Sequence, residues 1–222
     1  GTLGWSYGGV KGRAADWQHR LSGMAPNELA DAVAGAGFDA IWVDRQGLGP
    51  GLEDFESALG APDLVSSDSR ISVHDLRTRA GELESTLGSA EVARRASVLL
   101  EPVTVMMGDG FHGPEVDSGR SFSWAPASAD VRLRNPVTEA RTVRLHFVAA
   151  SAVGGEWTLQ VTGPTGTESF DLSPSGTGVE IVVEARPGET TVHLSTDAPR
   201  LETTDPRDIR FRILDPTVVP SP

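Results

Sequence analysis

The sequence predicts an α+β chain in two parts: a small α/β domain with connector helices over residues 1–110, then a jelly-roll-like antiparallel β-sandwich over 111–216, with 217–222 as an extended tail. Three observations carry that expectation. Helical and strand patterns alternate as far as residue 110. Beyond it, strand and turn signals recur alone at the short spacing of a sandwich. The 222 residues suffice for two small domains, each with its own core, and 25 Gly and 15 Pro supply the turns.

In the first part, Pro26-Asn27-Glu28-Leu29 opens a helix whose apolar face is Leu29, Ala32, Val33 and Ala36, and Gly35 and Gly37 end it. Phe38 to Val43 reads as a short strand closed by Asp44-Arg45 and the turn-forming run Gly47-Leu48-Gly49-Pro50-Gly51. Residues 52–59 read as a second helix, 71–76 as a second strand, and 77–100 as connector helix broken near Gly88-Ser89, where Ser89 is placed to cap the next segment. A strand over 103–107 and a junction loop over 108–114 complete this part.

In the second part the strand candidates are 121–124, 129–134, 141–149, 156–162, 168–172, 178–185, 189–196 and 209–214. Alternation is clearest in Val143, Leu145 and Phe147 and in Trp157, Leu159 and Val161, each set facing one side. Asn135-Pro136, Gly154-Gly155, Gly163-Pro164 and Pro187-Gly188 mark the turns between them. The Pro-rich end after Asp215 reads as frayed or extended and not as sheet.

Composition excludes several functions. A formal net charge of -12, with a single Lys at Lys11, argues against nucleic acid or an anionic lipid surface as partner, because phosphate binding draws on clustered cations. Without cysteine there is no disulfide, thiolate metal site or Cys nucleophile. No stretch approaches the roughly 18 apolar residues of a membrane span. Gly1-Thr2-Leu3-Gly4-Trp5 lacks an initiating Met and reads as the start of an excised piece, with any targeting signal or anchor upstream.

The densest local signature is Trp5-Ser6-Tyr7-Gly8-Gly9-Val10-Lys11-Gly12-Arg13. Trp5 and Tyr7 offer stacking faces, and Lys11 and Arg13 offer charge-assisted hydrogen bonds to an anion. The competing reading is an aromatic-anchored loop in which Arg13 pairs with Asp44 or Asp39. Asp44 and Arg45 sit where a strand meets its loop, where open α/β sheets place ligand-binding residues; an ion pair of Asp44 with Arg45 or Arg13 is the structural alternative. Asp39, Asp44, Glu28 and Asp16 could supply the carboxylate pair of a glycoside hydrolase if two of them came close enough. The five histidines show no metal-ligand spacing, and there is no Gly-x-Ser-x-Gly elbow. In the sandwich, Trp124 is the candidate for stacking on a sugar ring, whereas Trp157 alternates with core residues. Asp117 and Asp205, with Asp171 and Asp197, are candidate oxygen ligands for Ca²⁺.

Trp5-Ser-Tyr-Gly, Lys11-Gly-Arg13, Asp16-Trp17, the run Gly37 to Arg45, and Asp75-Leu76 together resemble the C-terminal extracytoplasmic region of bacterial multi-spanning membrane proteins similar to C-type glycosyltransferases, which use lipid-linked sugar donors. Asp205-Pro206-Arg207 and Phe211-Arg212 fit the sandwich of such relatives, and that sandwich looks like a carbohydrate-binding module. The resemblance implies an extracytoplasmic location, a transmembrane region elsewhere in the same protein, and a catalytic acid in a membrane-proximal loop outside this sequence. Three functions follow as expectations. The first is a non-catalytic domain that positions a cell-envelope glycan acceptor, with Trp124 stacking on it. The second is a structural or partner-binding domain of a membrane protein. The third is a glycan hydrolase built on Asp44 and another carboxylate. Whether Trp124 lines a groove or lies buried under Pro126 separates the first two.

Overall fold

The computed structural model describes residues 21, 23–117 and 119–221, with the side chain of Pro50 excepted. The chain divides into two compact units, 1–102 and 103–222. Among the described residues no helix is long and apolar enough to cross a membrane.

In the first unit the elements are α1 (Pro26–Gly35), β1 (Ala40–Asp44), α2 (Arg45–Leu48), α3 (Leu52–Leu59), β2 (Leu64–Val65), β3 (Ile71–Asp75), α4 (Arg77–Leu87) and α5 (Ser89–Leu100). Pro26 occupies the first turn of α1, where its missing N–H costs nothing. Helices and strands alternate as the sequence indicated. The three strands, in the order β1-β3-β2, nevertheless pair antiparallel throughout, so the strand-end rule of open parallel sheets does not apply to Asp44. Ile41 packs with Val33, Ala34, Leu76 and Leu99, which places the core on one side of the sheet. Ser89 begins α5 but does not cap it: the cap position is Gly88, whose φ of +81° suits glycine.

The second unit is a sandwich of two five-stranded antiparallel sheets. It contains β4 (Thr104–Met107), β5 (Glu115–Asp117), β6 (Arg120–Ala125), β7 (Ser128–Asn135), β8 (Arg141–Ser151), β9 (Trp157–Gly163), β10 (Gly166–Leu172), β11 (Thr177–Ala185), β12 (Gly188–Thr196) and β13 (Phe211–Pro220). One sheet runs β10-β9-β12-β7-β4 and the other β11-β8-β13-β6-β5. Their inner faces supply one core in which Leu133, Leu145, Phe147, Leu159, Leu194 and Phe211 are fully enclosed. Each such side chain contributes about 1.5–3 kcal/mol on burial, and the strict alternation of β11, and of β8 as far as Ala149, follows from that one-sided demand.

Two sequence expectations are corrected here. Residues 103–110 belong to the sandwich and not to the first segment. β4 is the edge strand beside β7, Gly108 N–H donates to the Asp130 carbonyl at 2.7 Å, and Asp130 N–H donates to the Asp109 carbonyl at 2.8 Å. A Cβ on Gly110 would lie 2.6 Å from the Ser128 carbonyl oxygen, so this segment is fitted to β7 and is not a free junction. The Pro-rich end is also no loose tail: Thr217, Val218, Val219 and Pro220 pair with His146, Leu145, Arg144 and Val143 of β8, after a register shift at Asp215 and Pro216.

Candidate functional site

The sandwich carries an unusual outward face. Along β6 the normal alternation is inverted: Ser123 and Ala125 point into the core, while Phe122 and Trp124 point outward. β13 matches it, with Phe211 and Ile213 inward and Arg212 and Leu214 outward. Register then builds two adjacent rows on the outer face. One runs Phe122–Leu214–Val148–Gly178 across β6, β13, β8 and β11, and the next runs Trp124–Arg212–Ala150. Four strands about 4.8 Å apart make the first row about 14 Å long. Phe122 and Leu214 are only 7% and 8% exposed although they face away from the core. A Cβ on Gly178 would meet nothing within 4 Å, so that end of the row is open.

At the other end Phe122 and Trp124 meet edge to face, with centroids 5.6 Å apart at 83°. The Arg212 guanidinium lies over both rings, 4.9 Å from the Phe122 centroid and 5.2 Å from that of Trp124. Trp124 is half-buried in this cluster, with Arg212 over its ring. The strip is bordered by an ion-paired loop. Arg207 joins Asp205, through Nε at 3.0 Å and an Nη at 2.7 Å, to Glu115 at 2.5 Å. Arg207 thereby holds the Asp205 carboxyl down at about 2.

The candidates in the first unit behave differently. Asp44 caps α2, accepting from Gln46 N–H at 3.2 Å and Gly47 N–H at 3.3 Å, and takes a two-point contact from Arg70 at 2.9 and 3.3 Å. The Arg70 hydrogen bond is the chief cause that lowers its pKa. Its partner is thus Arg70, not Arg45, which binds Glu56 at 2.9 Å. Asp39 stands one ladder step before β1, where its carbonyl accepts from Leu76 N–H. Five residues of strand put Asp39 and Asp44 about 16 Å apart on opposite faces, beyond the roughly 5–9.5 Å of a glycosidase carboxylate pair. Trp5, Tyr7, Lys11, Arg13 and Asp16 lie outside the described residues.

The calcium candidates do not gather. Asp117 is on edge strand β5, opposite Arg120 in register, Asp171 is on β10, Asp197 accepts from Thr158 N–H, and both oxygens of Asp205 are taken by Arg207. Among the described residues no three His, Asp or Glu side chains form a metal-binding group. Trp157 packs against the core as its alternation indicated.

Phe122 and Leu214 were not singled out from the sequence, and Arg212 entered only through the Phe211-Arg212 motif and not as a site residue; the signal was Phe122-Ser123-Trp124 against Arg212-Ile213-Leu214, two strands whose apolar residues fall on both parities. Trp42 was also missed. It is 73% exposed on the open face of the three-stranded sheet, in register with Val73 and Leu64, the latter 58% exposed. An open groove of about 610 Å³ in the same unit is lined by Asp31, Leu59, Asp75, Arg79, Glu82 and Arg95 among others. There Arg79 is committed to Asp31, Asn27 and the Ala58 carbonyl, tying α4 to α1 and α3.

No family model matches the chain, and no curated protein matches it. Similar solved structures include a CBM4 structure, 8% identical with a TM-score of 0.34, covering 56% of this chain and 91% of the other. Another is the carbohydrate-binding module CBM6cm-2 from Cellvibrio mixtus lichenase 5A in complex with cellotriose, 10% identical with a TM-score of 0.33, covering 53% of this chain and 97% of the other. A ruminal GH26 endo-β-1,4-mannanase is 14% identical with a TM-score of 0.35, covering 54% of this chain and 26% of the other. Likenesses this low bear on neither ligand nor activity; the strand pairing itself establishes the sandwich.

Proposed function

We propose that this chain is a non-catalytic glycan-binding piece of a cell-envelope protein, with the outer strip of the sandwich as its binding surface. The observation that carries the reading is the row Phe122–Leu214–Val148–Gly178 with Trp124 at its shoulder. The side of a sandwich sheet that faces away from the core is ordinarily polar. An apolar floor edged by an indole and left open at a glycine is suited to the apolar face of a sugar, with hydroxyls directed to the polar rim.

The wider setting rests on the motifs at 5–17 and 37–45, which resemble an extracytoplasmic region of C-type glycosyltransferases. In that setting a membrane-embedded part of the same protein performs the transfer, and the sandwich holds the glycan acceptor near it outside the cytoplasm. A hydrolase built on Asp44 is disfavoured by the distance to Asp39 and by the commitment of Asp44 to Arg70.

Calorimetric titration against bacterial envelope polysaccharides tests the proposal, with Trp124→Ala as control. Binding that falls at least about tenfold in the variant, with unchanged far-UV circular dichroism, is the expected result; loss of one good aromatic contact accounts for that much. Folded protein that binds no glycan, or a variant that binds as well as the parent, overturns it. A partner-binding role is the second reading. The exposed Trp42–Val73–Leu64 row favours it, because such a row is an apolar surface with nothing above it among the described residues.

A further inference from the structure

Arg212 stands out in the charge pattern of the sandwich. Acidic residues outnumber basic ones 31 to 19 in this chain, and arginines around the strip are taken up by carboxylates: Arg120 by Asp215, Arg207 by Asp205 and Glu115, Arg210 by Asp208. Arg212 has no carboxylate partner among the described residues. Its Nε is enclosed and has no hydrogen-bond acceptor among the described residues. The acids nearest in register are otherwise engaged. Asp215, three residues along β13, holds Arg120; Glu115, opposite Phe122, holds Arg207; and Glu180, on the same outer face, lies 3.7 Å from Arg144.

A partly buried cation without an anion is costly, and a cation–π contact offsets part of that cost. The two rings also hold the guanidinium carbon in place, 4.9 and 5.2 Å from their centroids. With Nε enclosed, the terminal Nη groups are the donors left to receive a carboxylate, while the rest of the ligand lies beside the apolar row.

We infer that the glycan held by this strip is acidic, a uronic-acid-containing saccharide whose carboxylate pairs with Arg212 while its ring packs beside the half-buried Trp124 and Val148. The inference rests on the glycan reading and adds the charge of the ligand to it. Arg212 is then the specificity-determining residue and Trp124 its positioning wall.

The test uses the whole chain and matched probes: oligosaccharides of glucuronic, galacturonic and mannuronic acid, and the same oligosaccharides after carboxyl reduction to the neutral sugars. At least one acidic member is expected to bind about tenfold or more tighter than its reduced form, since a charge-assisted hydrogen bond supplies that much. Arg212→Gln is expected to abolish the preference, and Arg212→Lys to retain only part of it. Equal or tighter binding of the reduced forms overturns the inference and leaves the glycan reading standing. No binding of acidic or neutral members by folded protein overturns both. Should Arg212→Gln fail to fold, the ratio of acidic to reduced binding in the parent protein decides alone.

Discussion

Each unit turns one apolar sheet surface outward, and the two surfaces differ in depth. In the first unit Ala40, Trp42 and Asp44 share a face with Ile71, Val73 and Leu64, and Trp42 stands almost free at 73% exposure. In the sandwich, Phe122 lies under the Arg212 guanidinium and edge-on to Trp124, and little of it meets water. The first surface is an open row of Trp42, Val73 and Leu64. The second already has a floor, a wall and a cation.

The largest expected effect lies beneath the second surface. Phe147→Ala removes a fully enclosed ring from the sandwich core and should cost about 3–5 kcal/mol. Segment-resolved hydrogen exchange checks it: β7 to β13 should lose protection while α1 to α5 keep theirs. Equal losses in both units would show that the contrast between them is not one of separate cores.

A smaller effect is set by pH. Asp205 is depressed from 3.8 to about 2 by Arg207, and Glu91, in α5 of the first unit, from 4.5 to about 2 by Arg94 and Arg95. Both are lowered carboxylates, so their contribution is complete above the ordinary value and is lost as pH falls through the folded value. Exchange in the 199–210 loop and in α5 should therefore rise between about pH 4.5 and 2. Because both clusters are exposed, high salt at neutral pH should mimic part of the change. A flat exchange profile across that window would remove the ion pairs from the account of how the strip's border is held.

The smallest effect is expected at Trp42. Trp42→Ser should shift stability by no more than about 0.5 kcal/mol, as surface substitutions do, and should leave glycan affinity unchanged, as measured by denaturant titration and calorimetry. A large loss of stability would mean that the open face of the first unit is covered after all.

The sandwich was legible where one face alone carried the apolar residues. Val143, Leu145 and Phe147 fall on one parity because water lies on the other side. β6 and β13 were harder to read, since both of their faces are apolar and only the pairing Arg212↔Trp124 and Leu214↔Phe122 assembles the strip. Asp44 was found as a polar strand end, but its partner Arg70 lies 26 residues away across an antiparallel sheet, a pairing that local pattern does not encode. Prolines near the chain end signalled the absence of a strand, although a strand accepts proline wherever its N–H is not required.

That last point has a consequence for the end of β13. Ser221 N–H donates to the Thr142 carbonyl, so the preceding residue, Pro220, turns its ring nitrogen away from β8. Beyond Leu214 this strand pairs with β8 only, and among the described residues its other margin is vacant. A vacant margin invites another chain to add a strand and begin aggregation. With no hydrogen to offer there, Pro220 withholds one of the donors such a strand would need, so a residue that made the last strand look like a loose end also makes its margin a poorer template.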